Sequence, residues 1–259
     1  MKDPFHSSKG LVNHAERRIS ELKGIIDAFI KTKPCELVAE LNRKSTQKIV
    51  KIKLLKQPPG TIPGIVFDVL NALRSSLDHA GYASAIANGK NGSRAHFPFG
   101  DTIKGIRRSS RGVSRNGKER SCNQIPKTIF NIMLKAKPYK RGNWHLWALN
   151  KFCNSNKHEL VTPLAVGAGQ TSFSARGGTQ KVRLYRNPTW NRLKNERKFA
   201  RIDPVAELGR HYNITARVVF DEVPLEYYGV IPTLERMAGI VKEIIFRIET
   251  EAFRVGLFK

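Results

Sequence analysis

Apolar residues mark out helices along much of the chain. Leu11, Ala15, Ile19, Leu22, Ile26, Phe29 and Ile30 recur at three- and four-residue steps and stop before Pro34, which predicts an amphipathic helix over 11–32. After Pro58-Pro59-Gly60, the stripe Ile62, Val66, Val69, Leu70, Leu73, Leu77 and Ala80 predicts a central helix over 61–88. Shorter helices are expected at 125–135, opened by Pro126, and at 143–160, with Leu146, Leu149, Phe152 and Cys153 inward and Asn143 as cap. Ile231, Leu234, Met237, Ile240, Val241, Ile244, Ile245 and Ile248 predict a closing helix over 230–254.

Elsewhere the period changes. Glu36–Leu41 and Lys48–Leu55 flank Asn42-Arg43-Lys44-Ser45-Thr46, and the second run alternates Val50, Ile52 and Leu54 with Lys51 and Lys53, predicting a hairpin. Residues 161–225 lose the helical period, and Lys181–Tyr185 and His211–Phe220 predict a small antiparallel sheet. Residues 88–123 are rich in Gly, Ser, Asn and Arg behind an anchoring Phe97-Pro98-Phe99, so 100–124 is expected to be a basic mobile loop and 1–10 a flexible terminus. The expected fold is α+β: one domain over 1–259, a mainly helical core of five helices, an N-terminal hairpin and a small antiparallel sheet.

Composition then changes the picture. The chain has 259 residues, 40% of them hydrophobic, which is enough apolar material for a core. Its 46 Lys and Arg against 21 Asp and Glu give a net charge of +25. The excess lies in residues 1–202, with 39 basic and 12 acidic, whereas 203–259 hold 7 basic and 9 acidic. Compacting that charge is repulsive without anions, and a phosphate backbone is their commonest source. Nucleic acid, RNA before DNA, is the expected partner. Cys35, Cys122 and Cys153 are widely spaced and read as reduced thiols. Met1–Ser8 lacks the apolar stretch of a secretory signal and no run reaches membrane-span length, so the expected location is cytoplasmic, without a membrane partner.

Two basic stretches could hold nucleic acid. Lys104, Arg107, Arg108, Arg111, Arg115, Lys118 and Arg120 lie among Ser and Gly and suit phosphates rather than base edges. Arg183, Arg186, Arg192, Lys194, Arg197, Lys198 and Arg201 interleave with Tyr185, Trp190 and Phe199, and aromatic rings among cations can stack unpaired bases. The bland counterparts are a solvated charge run and rings that face a core.

The sharpest constellation is Leu73-Arg74-Ser75-Ser76-Leu77-Asp78-His79 on the central helix. Arg74 can pair with Asp78 one turn on, and Asn71, Ser75 and His79 form a polar strip at four-residue steps. Asn150, Asn154 and His158 repeat that spacing on the later helix, followed by Lys157 and Glu159 alongside. If the strips face each other, Arg74, Asp78, His79, Asn154, Lys157 and His158 would form one site. One imidazole would take the proton of an RNA 2′-hydroxyl, the other would protonate the leaving oxygen, and a cation would offset charge on the phosphorane, with no metal or other cofactor. Otherwise His79 and His158 are buried polar residues that hold helices in register.

Arg, four residues, then His on a helix resembles the signature of HEPN-type proteins, largely helical and often dimeric ribonucleases. That resemblance implies Arg74 and His79 as catalytic residues, RNA as substrate and a homodimer. The wider pattern, Leu73–His79, then Phe97-Pro98, Leu149-Asn150 and Asn156-Lys157-His158, is similar to a set of uncharacterised bacterial proteins over roughly residues 60–160. Hairpins and a sheet depart from the helical HEPN bundle. Two rival readings stay open: a non-catalytic nucleic-acid-binding accessory protein, and a small-molecule enzyme using Asp78 and His79. Zinc is not signalled, since no His-Glu-x-x-His or Cys pair occurs, and Gly167-Ala168-Gly169-Gln170-Thr171 lacks the spacing and Lys of a phosphate-binding P-loop.

Overall fold

The computed structural model describes residues 3–44, 46–111, 122–155, 164–178, 181–186, 190–191 and 193–258. The apolar stripes become helices: α1 (His6–Lys31), α2 (Thr61–Ala87), α3 (Ile103–Ser109), α4 (Lys127–Lys135), α5 (Trp144–Ser155) and α6 (Val230–Arg254). The strands are β1 (Cys35–Leu41), β2 (Lys48–Leu54), β3 (Leu164–Arg176), β4 (Arg183–Leu184), β5 (Trp190–Asn191), β6 (Glu196–Ile202) and β7 (Glu207–Phe220). The fold is mixed α+β, with antiparallel sheets. Among the described residues no helix is long and apolar enough to cross a membrane.

Where the sequence predicts one domain, the chain divides into two compact units. The first comprises Met1–Lys23, Thr61–Pro163 and Glu222–Lys259; the second comprises Gly24–Gly60 and Leu164–Asp221. The first unit is helical and the second holds the sheets together with the last turns of α1, as helical stripes bury themselves on each other while period-two segments pair. Both units are basic: 27 cationic against 14 acidic residues in the first, 19 against 7 in the second.

In the helical unit α2 is the axis. Ile62, Val66, Val69, Leu70, Leu73, Leu77 and Ala80 are buried, and α2 packs against α5 and α6. Two buried hydroxyls on α2 turn back to their own helix, Ser76 Oγ donating to Leu73 O at 2.7 Å and Ser84 Oγ to Ala80 O at 2.8 Å, so neither is left unsatisfied. The α6 stripe Leu234, Met237, Val241, Ile244, Ile245 and Ile248 closes this core. Ion pairs Arg18–Asp68 and Lys9–Glu249 run from α1 to α2 and to α6.

Two segments expected to move hold defined structure over their described residues. Phe5 is fully buried, edge-on to Phe258 at 5.4 Å between ring centroids, and α1 starts at His6, so 1–10 is not a flexible terminus from Asp3 onward. The basic loop contains α3, which is capped by Thr102 Oγ1 accepting from Gly105 N and pinned by Ile106, 1% exposed. Its one buried side chain in seven residues is too little for a periodicity signal. Residues 112–121 of that loop, and 156–160 of the helix expected to reach 160, lie outside the described residues.

In the second unit the predicted hairpin forms with Leu37 opposite Ile52 and Ala39 opposite Val50. It does not stand alone, because β6 adds to β2, and β4 and β5 add to β6. The two stretches expected in one small sheet lie in different sheets: β4 pairs with β6, and β7 pairs with the unpredicted β3. Leu37, Val50, Ile52, Ala200, Ile202 and Ala206 form the core, with Phe173, Leu208 and Ile214 of the β3–β7 ribbon packed on it. A bulge in β6 shapes this face. Val50 lies opposite Ala200 but Lys51 opposite Lys198, so Phe199 is the extra residue, and its ring turns inward to Phe173 at 5.9 Å.

The buried terminus gives a test of the helical unit. Phe5→Ala should lower unfolding free energy by about 3–5 kcal/mol, read as a lower urea midpoint, whereas a flexible terminus would leave it unchanged.

Candidate functional site

Two polar clusters flank α2, and they divide the residues that the sequence groups together. Arg74 and His79 are five positions apart, which is about 140° around a helix. They therefore serve different neighbours.

On one side Arg74 is a staple. Its Nε donates to Asn150 Oδ1 on α5 at 3.1 Å, its Nη1 lies 3.5 Å from Asp78 Oδ2, and its guanidinium sits 5.3 Å from the Phe99 ring centroid. Asp78 Oδ1 accepts from Phe97 N at 2.9 Å, and Asn150 Oδ1 also accepts from Asn154 Nδ2 at 3.3 Å. The side chains of Arg74 and Asp78 are 24% and 20% exposed, so each half-buried charge is answered by the other and by hydrogen bonds. Asn150 of the α5 strip meets α2 at Arg74, one position round from the Asn71–Ser75–His79 strip. Lys157 and His158 lie outside the described residues.

On the other side His79 is exposed. Its Nδ1 shares a 2.7 Å hydrogen bond with Ser7 Oγ of α1, and its Nε2 has no partner among the described residues. His79 lines a cleft of about 790 Å³ with Ser7, Ser75, Asp78, Tyr82 and His96. Arg74 is absent from this lining. Ile86 and Phe258 give the cleft apolar walls beside these polar groups, a mixture typical of ligand sites.

Glycines bring His96 here. A Cβ on Gly81 would stand 3.3 Å from Ala95 O and 3.5 Å from His96 C, so a bare backbone lets the 95–96 segment lie against α2 two residues beyond His79. Gly92, at φ +71°, lies under the Tyr82 ring, where a Cβ would be 2.7 Å from Cδ2. Cys122 Sγ donates to His96 O at 3.3 Å and fixes the segment from its far side. Sequence reasoning missed His96, Tyr82 and Ser7. The position of His96 directly before the Phe97-Pro98-Phe99 anchor was the available signal.

No family model, curated protein or solved structure matches this chain. The geometry therefore stands alone.

The predicted nucleic-acid residues separate by position. Lys104, Arg107, Arg108 and Arg111 are exposed on and after α3, while Arg115, Lys118 and Arg120 lie outside the described residues. In the second unit, Arg183, Lys198 and Arg201 are exposed on the sheet face opposite the core, with Arg183 across from Arg201. Tyr185 joins them: Arg201 stacks on its ring at 4.7 Å and its Nε donates to the Tyr185 hydroxyl at 2.9 Å. Arg186 is also exposed, and Arg192 is outside the described residues. Trp190 corrects the expectation of a stacking platform, because it packs against the sheet core, with half-buried Arg197 opposite it in register. Phe199 points inward likewise. The alternation and the bulge sort the interleaved stretch into an aromatic inner face and a cationic outer one.

Part of that outer face is internally neutralised. Lys51 Nζ donates to Glu40 at 2.6 Å and contacts Glu196 at 3.0 Å, and Lys53 Nζ donates to Glu40 at 2.7 Å. Hydrogen bonds from Lys51 and Lys53 push the Glu40 carboxyl down to about 2. The free cationic surface therefore belongs to β4 and β6.

Two outcomes follow. Arg74→Ala and Asn150→Ala should each destabilise the helical unit by about 1–3 kcal/mol, and the double variant should cost less than their sum, measured by urea unfolding. Because the Glu40 carboxyl is depressed on folding, its stabilisation is full above its ordinary value of 4.5 and is lost as pH falls toward about 2. Glu40→Gln should flatten the acid limb of thermal stability over that window, and an unchanged limb would refute the lysine clamp.

Proposed function

We propose that the chain is an RNA-binding protein of HEPN-like character whose His79–His96 cleft cleaves single-stranded RNA without a metal. The observation that carries this reading is that two exposed imidazoles, His79 and His96, line one cleft of nucleotide size beside an exposed aromatic ring, Tyr82. Ser7 engages Nδ1 of His79 and so leaves Nε2 as the nitrogen for proton transfer. In this reaction one imidazole removes the proton of a ribose 2′-hydroxyl, and the 2′-oxygen attacks the adjacent phosphorus. The other imidazole protonates the departing 5′-oxygen, leaving a 2′,3′-cyclic phosphate and a 5′-hydroxyl end. Tyr82 offers a face for the base. Arg183, Lys198 and Arg201, on the second unit, offer a cationic surface of their own for phosphates. The reading departs from the HEPN pattern at Arg74, which acts as a positioning residue for α5 and the 97–99 segment.

The same Arg74 network favours a second reading, a non-catalytic nucleic-acid-binding protein. An arginine with a carboxylate, a carboxamide and an aromatic ring already around it has little left to offer a phosphate.

Incubation with labelled RNA and DNA oligonucleotides in EDTA separates the two. On the cleavage reading RNA alone is cut to 2′,3′-cyclic phosphate ends, and His79→Ala and His96→Ala each slow the reaction at least about 100-fold with circular dichroism unchanged. Intact RNA with binding that weakens steeply in salt would establish the binding protein instead.

A further inference from the structure

A second cleft of the helical unit gathers cations with no counter-charge among the described residues that line it. Arg107 in the last turn of α3, Arg111 two residues beyond its end, and Lys127, the first residue of α4, line a cavity of about 810 Å³. Among the described residues its lining contains no Asp or Glu, and none of the three cations has an ion-pair partner. Like charges around one cavity repel, and an anion placed among them removes that cost.

The remaining chemistry narrows the anion. Asn88, Asn123 and Asn131 bring carboxamides that both donate and accept, as a base edge or sugar hydroxyl requires. Buried Ile125 and Phe130 form an apolar floor. The α4 helix opens into this cleft behind Pro126, which provides no side-chain cap, so first-turn N–H groups add to the cationic side chains. Charge on one part, hydrogen-bonding amides and an apolar floor on another, in a volume of this size, fit a nucleotide better than a bare inorganic ion.

We propose that this cleft binds the di- or triphosphate group of a nucleotide, carried either by the free nucleotide or by the 5′ end of a strand. It shares no lining residue with the His79 cleft, so it stands apart from the cleavage reading.

Calorimetric titration of the full chain with adenosine, AMP and ATP tests the site. Affinity should rise at least about tenfold from adenosine to ATP. Arg107→Ala/Arg111→Ala and Lys127→Ala should each abolish most of that gain, and Arg107→Lys/Arg111→Lys should keep much of it. If the double alanine variant does not fold, Lys127→Ala carries the test. Tighter binding of ATP than of a 5′-triphosphorylated oligonucleotide would identify the free nucleotide as the source, and the reverse order would identify the strand end. Equal affinity for adenosine and ATP, or folded alanine variants that retain the preference, would overturn the proposal. His79→Ala should leave ATP affinity unchanged, so loss of the cleavage reading would not remove this one.

Discussion

A carboxylate that is four-fifths covered must find donors on every side that water has left, and around Asp78 this requirement joins three separate parts of the helical unit. Its oxygens take a backbone N–H from the 97–99 segment and the guanidinium of Arg74, which in turn reaches Asn150 on α5. Removing any member leaves another charge or dipole half-buried without an answer, so the network constrains α2, α5 and the 97–99 segment together. The His79 cleft inherits its shape from that constraint. His96 sits one residue before Phe97, so the backbone bond that satisfies Asp78 also places the second imidazole at the cleft wall.

The sequence made the helices readable because each buries a stripe, and stripes leave a 3.6-residue period. The central helix and α6 appear within a residue of their expected ends. Two things had no such signal. The α3 helix is held by Ile106 and a threonine cap amid arginines and serines, so its composition reads as a loop. The β3 strand is rich in glycine, alanine and serine, and what defines it is its long pairing with β7, a partner some forty residues away that no local pattern can announce.

The candidate site was half legible. The Arg74–Asp78 pair follows from four-residue spacing on a helix, although Asn150 meets Arg74 rather than the Asn71–Ser75–His79 strip that the spacing marked. The grouping of Arg74 with His79 does not, since five residues carry a side chain to another face. His96, Ser7 and Tyr82 come from a loop, a first helical turn and the far edge of α2, and only tertiary packing around Gly81 and Gly92 assembles them. A signature that counts residues along the chain cannot see such a site.

The bulge at Phe199 has a consequence for how β6 can vary. Residues before it and after it hold opposite phases: Ala200 and Ile202 face the core on one side of the bulge, Arg197 on the other, while Lys198 and Arg201 both look outward. Deleting Phe199 would remove the extra residue and leave a plain alternation, with Arg197 still inward and Lys198 still outward. Such a deletion costs the ring that reaches Phe173, so this strand can lose a residue at its bulge and keep both of its faces.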